Sequence, residues 1–299
     1  MISDNIDSYL NDMDINNIED VDLVMTSGAW NGSYLYGSLL VIKKLEENNK
    51  MRIKRISCCS ISSVLALLYL IDKLDLYNKL YDKFVTCYKE RYHFENIDEI
   101  LEIIRPYINN DKCKLIRKRL YISYFDVKEC RQIVVNKYKN VDNIFDIIKK
   151  SCYLPYVTNK RIAYKKRYID GIYPYIFRKS NNSKRIFINV LISNKFYDTI
   201  DIKNEKSPES RIIEGIIDMK RFLIKNRSTM MCSFIDNWGV IDVIKYKIMQ
   251  MLGYMICYII CVIMLLNQLL NIEKNSVIFR YLYKLSDKSY KNYIKKYLV

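Results

Sequence analysis

Three short segments of this 299-residue chain hold residue types that could carry out acyl transfer. In the first, Cys58-Cys59-Ser60-Ile61-Ser62, a serine stands between small residues. It follows a strand-like run, Arg52 to Ser57, and precedes a nearly all-apolar helix-like run, Ser63 to Leu74. A hydroxyl lifted out of a sheet on a sharp strand-to-helix bend is what a serine nucleophile needs, and Gly-x-Ser-x-Gly is its usual signature. Cys58 and Ser62 occupy the two glycine positions here, so such a bend carries strain of about 1–3 kcal/mol. A serine in this setting is equally the ordinary N-cap of the helix that follows. The second segment is Ser27-Gly28-Ala29-Trp30-Asn31-Gly32, between a strand and a helix start. Backbone N–H groups at a helix N-terminus suit a developing oxyanion, which makes Gly28, Ala29, Asn31 and Gly32 the candidate donors. The segment is neither a Walker loop nor a dinucleotide fingerprint, and an ordinary βα turn would look the same. The third is Tyr168-Ile169-Asp170-Gly171, a carboxylate at the end of a strand-like run. Asp-Gly is a common turn pair, but a carboxylate in reach of a serine can also serve as its base.

Elimination sharpens the choice of base. The chain has a single histidine, His93. A serine–histidine–aspartate triad would have to run Ser60, His93, Asp170, against the hydrolase order of serine, acid, histidine. No two-histidine metal site can be built, and the nine cysteines form no zinc-ligand spacing, so no metal site is expected.

The elements that must position these groups follow from apolar patterning. Val21 to Met25 reads as a strand and about Ser33 to Glu47 as a helix, with Leu35, Leu39, Ile42 and Leu45 at helical spacing. Residues 75–118 read as amphipathic helices broken near Pro106. Leu120 to Phe125 reads as a strand, Ile144 to Ser151 as a short helix, Arg161 to Ile169 as a strand or hairpin, and Arg185 to Ile192 as a buried strand. Strand, tight turn and helix in alternation predict an α/β fold: a three-layer αβα sandwich around a mostly parallel sheet. The expected organisation is a polar extension (1–19), an α/β hydrolase domain (20–225) and a helical C-terminal region (226–299). Met251 to Leu266 holds no charge, amide, serine or threonine. It reads as a core helix, a membrane-contacting helix or, extended to about 248–270, a transmembrane span.

The net charge is +16 and 27 residues are tyrosine. Such a basic chain attracts polyanions, anionic lipid and nucleic acid alike, though scattered lysines are also simply a solvated surface. The densest stretches are Lys112 to Arg119, Lys165 to Arg167 and Lys284 to Lys296. Free thiols and an acidic, polar N-terminus without a secretory pattern predict an intracellular, cytoplasmic protein, with membrane association.

Taken in order, these segments resemble the patatin-like phospholipase family. The oxyanion entry corresponds to Ser27 to Gly32, the nucleophile segment to Ile56 to Ser63, the family's helix end before proline to Lys150-Ser151-Cys152-Tyr153-Leu154-Pro155, and the base motif to Tyr168-Ile169-Asp170-Gly171-Ile172. Leu120 to Asp126 matches the central strand, so five blocks over about residues 20–195 fall in the family's order. Both elbow glycines are replaced, Asn31 stands for the family's arginine, and Ile172 stands where the family has a small residue. The resemblance implies a Ser60–Asp170 dyad that hydrolyses fatty-acyl esters of phospholipid or related lipid, with docking on anionic membrane. A catalytically silent lipid- or partner-binding relative is the alternative. A nucleic-acid-binding protein, using the Tyr/Lys interleaving of Tyr281 to Tyr297, is the further one.

Overall fold

The computed structural model describes residues 18–91, 97–155, 157–159, 161–180, 183–192, 195 and 208–269. His93 and the segments Lys284 to Lys296 and Tyr281 to Tyr297 lie outside the described residues, as does the polar extension up to residue 17.

The sheet is built on strands β1 (Ile18–Met25), β2 (Met51–Cys59) and β3 (Leu120–Asp126). Residues 21–25, 56–59 and 122–126, toward the carboxyl ends of the three, are continuously buried, the pattern of strands covered on both faces. To these are added β4 (Arg131–Val135), β5 (Tyr168–Asp170), β6 (Lys184–Ile188) and β7 (Cys232–Phe234). The spatial order is β4-β3-β2-β1-β6-β7, with β5 also on β3. Pairings among β1, β2, β3 and β6 are parallel, while β4, β5 and β7 pair antiparallel. The fold is therefore α/β with a mostly parallel mixed sheet of seven strands between helical layers, as the patterning predicts.

The helices are α1 (Gly32–Glu47), α2 (Ile61–Leu70), α3 (Tyr77–Arg91), α4 (Ile97–Ile104), α5 (Asn110–Ile116), α6 (Val141–Ser151), α7 (Glu209–Lys225) and α8 (Val240–Leu269). One face of the sheet, with Leu23, Met25, Ile56, Cys58, Ile122 and Ile188, forms the main core with α1 to α7. The other face is covered more thinly. Val24 and Phe187 pack against Phe177, Ile235, Trp238 and Tyr246, and Phe125 packs against Cys257 and Cys261 of α8.

Four expectations shift. The first strand starts at Ile18, inside the expected extension. The region after 225 is not purely helical, because β7 joins the sheet beside β6. The Arg185 to Ile192 strand ends at Ile188. The Met251 to Leu266 segment is not a core helix: in its described part only Gly253, Cys257 and Cys261 are buried. Val240–Val262 is long and apolar enough to cross a membrane by length and composition.

Candidate active site

Ser60 sits where β2 turns into α2, at the carboxyl end of the parallel strands. Its backbone lies at φ 56°, ψ −137°. This is a left-handed region that a residue with a Cβ enters only when its surroundings force it, at about 1–3 kcal/mol. Ser60 occupies the N-cap position of α2, yet its hydroxyl makes no capping hydrogen bond. The plain capping role is thus not the one the hydroxyl performs.

Neighbouring serines hold the bend that glycines would otherwise ease. Ser62 Oγ donates to the Cys59 carbonyl at 2.6 Å and accepts from the Cys59 N–H at 3.0 Å, closing the elbow on itself. Ser63 Oγ donates to the Ser60 carbonyl at 2.5 Å. The Ser60 N–H donates to Ser151 Oγ at 2.8 Å, and Ser151 Oγ donates to the Ser123 carbonyl at 2.7 Å. Ser151 therefore ties the elbow to the central strand through the end of α6. It lies in a segment with a recognisable pattern, but no sequence signal distinguishes its hydroxyl from a surface one.

Sheet register brings Asp170 to Ser60 across 110 positions of chain. Cys59 on β2 pairs with Ser123 of β3, and Asp170 on β5 pairs with the next residue, Tyr124. Tyr124 already meets Ile133 of β4 on its other side. So β5 lies on the β2 side of β3 and takes over the lane that β2 leaves as it bends into α2. The lane change needs close approach: a Cβ on Gly171 would stand 2.5 Å from the Ser123 carbonyl oxygen, closer than such atoms come. The Asp170 N–H is held by the Tyr153 carbonyl at 2.8 Å.

Asp170 is 3% exposed. Its Oδ1 accepts from the Ile172 N–H at 2.8 Å, while Oδ2 has no hydrogen-bond partner of good geometry among the described residues. Burial pushes the carboxyl from its ordinary 3.8 up to about 6, and the Ser60 hydroxyl is the first of the neighbours that restrain the rise, ahead of the Ile172 N–H. The two side chains are thus within reach of each other without a fully formed bond between them. A carboxylate with one uncommitted oxygen, beside a serine hydroxyl and ionised above about pH 6, can accept that hydroxyl's proton.

The oxyanion candidates divide. The Asn31 N–H is used on the Gly28 carbonyl at 2.8 Å, and the Gly32 N–H goes to Ala29 and Trp30 carbonyls. The Asn31 side chain is fully buried and faces away into the fold. Its Nδ2 donates to the carbonyls of Val190 at 2.9 Å and Lys195 at 3.0 Å, and its Oδ1 accepts from Arg211 Nη1 at 3.1 Å. The expectation that Asn31 and Gly32 bind an oxyanion is corrected: an amide in this position is a tie between α1, the end of the sheet and α7. Among the described residues, Gly28 and Ala29 show no such commitment of their N–H groups. Ile61 adds a donor that sequence reading missed, since the first N–H of a helix has no partner within it.

Beside Ser60 lies an apolar cleft of ≈ 30 Å³ lined by Ala29, Ser60, Ile61, Phe84, Ile97, Cys152 and Leu154. A second cavity of ≈ 40 Å³ shares Ala29, Ile61 and Phe84 with it and runs on beneath α3. Each has room for a water or two, so a larger ligand requires Phe84 or Ile61 to move. Cys59 and Cys152 border the site, but burial, followed by the Asp170 charge, drives both thiols well up, away from nucleophilic thiolate.

Two cations just before β5 are paired. Arg167 pairs with Asp126 and Glu129, and Lys165 with Asp146. No family model matches the chain, and no curated protein matches it as a relative.

Proposed function

We propose that this protein is a serine acyl-ester hydrolase acting on lipid, of the patatin-like phospholipase type, with Ser60 as nucleophile and Asp170 as its base. In the reaction Ser60 Oγ attacks the ester carbonyl while Asp170 Oδ2 takes the hydroxyl proton. The N–H groups of Gly28, Ala29 and Ile61 hold the oxyanion. The leaving alcohol departs with the proton, and water activated by the same carboxylate frees the fatty acid. No metal or organic cofactor takes part in this scheme. The protein works in the cytoplasm, at a membrane surface. The observation that carries the reading is the conjunction at one point of a non-capping serine in a forced left-handed turn and a buried carboxyl raised to about 6. Strain and a displaced pKa together mark functional sites more often than structural ones.

A second reading, a catalytically silent lipid- or partner-binding relative, draws support from one feature: the cleft at Ser60 measures only ≈ 30 Å³. Reaction with a fluorophosphonate probe separates the two. The hydrolase labels at Ser60, and Ser60→Ala lowers turnover of fatty-acyl esters roughly 10³-fold or more. Equal turnover by wild type and variant, or no label on Ser60, leaves the silent relative.

A further inference from the structure

The helix α8 carries two apolar stripes on opposite sides. Tyr246, Gln250, Gly253, Cys257 and Cys261 recur at helical spacing and face the domain. Tyr246 meets Tyr173 and Phe187 edge to face and Trp238 at a tilt, a Cβ on Gly253 would touch Ile172 and Tyr173, and Cys257 and Cys261 are buried beside Phe125 and Val127. Two positions before each of these, Ile244, Ile248, Met251, Met255 and Ile259 repeat the same spacing, Val262 continues their side of the helix, and each is more than half exposed. Two residues turn a helix by about 200°, so this second stripe points directly away from the protein over roughly 27 Å. Monomeric proteins rarely leave so long an apolar ridge in water.

We propose that α8 is an in-plane membrane anchor, lying flat in the headgroup layer of an anionic bilayer with the Ile244–Val262 stripe sunk into the lipid. Two observations select this occupant and this orientation. The first is charge: the chain carries +16, and the exposed Lys245 and Lys247 flank the ridge on α8 itself, which suits anionic headgroups. The second is the docked stripe. It holds α8 against the β3–β4 turn, where Cys261 Sγ meets the Val127 carbonyl at 3.4 Å beside the ion pairs of Arg167 with the buried Asp126 and the exposed Glu129. A helix that crossed the bilayer in this docked state would carry those charges into hydrocarbon; one lying flat keeps them above it. The anchor also bears on the site. Gly253 rests on Ile172, whose N–H holds Asp170, and the Asp170 charge reaches Cys257. That α8 presents the Ser60 cleft to its lipid substrate rests on the hydrolase reading; the anchoring itself does not.

The test uses the full chain with Ser60→Ala, so that no turnover alters the lipid. Flotation is measured with vesicles of phosphatidylcholine alone and of phosphatidylcholine with phosphatidylserine in equal parts. Depth is read by introducing Met251→Trp or Val262→Trp and quenching with lipids brominated near the headgroup or near the chain end. The anchor predicts flotation at least about tenfold stronger on the anionic vesicles, and equal quenching of both tryptophans, strongest by the headgroup-proximal bromine. The pair Met255→Asp and Ile259→Asp, at exposed positions, abolishes flotation while the melting temperature and circular dichroism stay as they were. Tryptophans at clearly different depths mean a span and overturn the proposal. So does a chain that fails to float and elutes as a dimer, its ridge covered by a second copy. So does flotation that the aspartate pair leaves untouched. Missing flotation, with Ser60 of the wild-type chain labelled by fluorophosphonate in a parallel reaction, removes the anchor alone, and flotation without label on the wild type removes the hydrolase alone.

Discussion

Replacing Asp170 by asparagine should make the protein more stable at neutral pH and catalytically dead. The carboxyl is 3% exposed and raised from 3.8 to about 6 chiefly by burial. The folded state therefore holds this proton more tightly than the unfolded chain does. Below about pH 3.8 both states are protonated and the group is neutral for stability. Between 3.8 and about 6 the unfolded chain releases its proton first, so stability falls as pH rises. Above about 6 the loss is complete, and the gap between the two values corresponds to about 3 kcal/mol. Asparagine has nearly the same shape and no charge to bury. Denaturant unfolding of wild type and Asp170→Asn across pH 4 to 8 isolates this one group, because every other titration is common to both chains. The difference should be near zero at pH 4, grow through pH 5 to 6, and level at about 3 kcal/mol in favour of the variant, which is roughly 6 °C in Tm for a chain of this size. Catalysis should move the other way, to loss. A difference that does not change with pH, or a variant less stable than wild type at pH 8, refutes the buried, uncompensated carboxylate and with it the base.

The same group sets the rate profile: kcat/KM for an acyl ester should rise with pH and reach half its plateau near 6, measured under constant ionic strength. Ser60→Gly removes a Cβ from a backbone at φ 56° and should raise stability by about 1 kcal/mol in the same unfolding assay, with all fluorophosphonate labelling lost. Asn31→Ala takes partners from two carbonyls and Arg211 and should lower stability by about 2–4 kcal/mol. Its kcat/KM below the melting transition should stay within about threefold of wild type, since loss of an oxyanion donor would instead cost about a hundredfold.

Legibility in the chain tracks how much of an element's reason is local. The β1–turn–α1 and β2–turn–α2 units could be read because the carboxyl-terminal halves of these strands are short apolar runs, α1 spaces Leu35, Leu39, Ile42 and Leu45 at helical intervals, and α2 is nearly all apolar. By contrast, β4 is an edge strand with little burial and β7 is three residues long. Each exists because a neighbour supplies a hydrogen-bonding edge, which no window of sequence contains. Asn31 occupies the position where the resemblance puts an oxyanion residue, and its side chain direction is decided by Val190, Lys195 and Arg211, all more than 150 positions away. In α8 an almost uniformly apolar sequence hides which stripe docks; the shape of the surface around Phe125 and Ile172 chooses it.

The left-handed positions connect these failures to the site. None of the seven glycines has positive φ, whereas ten described residues with side chains do. Three of those ten, Ala29, Ser60 and Ile172, lie in the three segments that converge at the cleft. Ile172 is the most telling, since a β-branched residue in that region is a genuine outlier. Two of these turns are held by side-chain ties. The serine ties brace Ser60, the Asp170 carboxylate holds the Ile172 N–H, and Ser27 Oγ donates to the Ile172 carbonyl at 3.1 Å. A turn that glycine would adopt freely is thus held by tertiary contacts in residues with side chains, at a cost to stability borne by the rest of the fold. Strain present at all three segments is what is expected where backbone direction serves a site rather than the core.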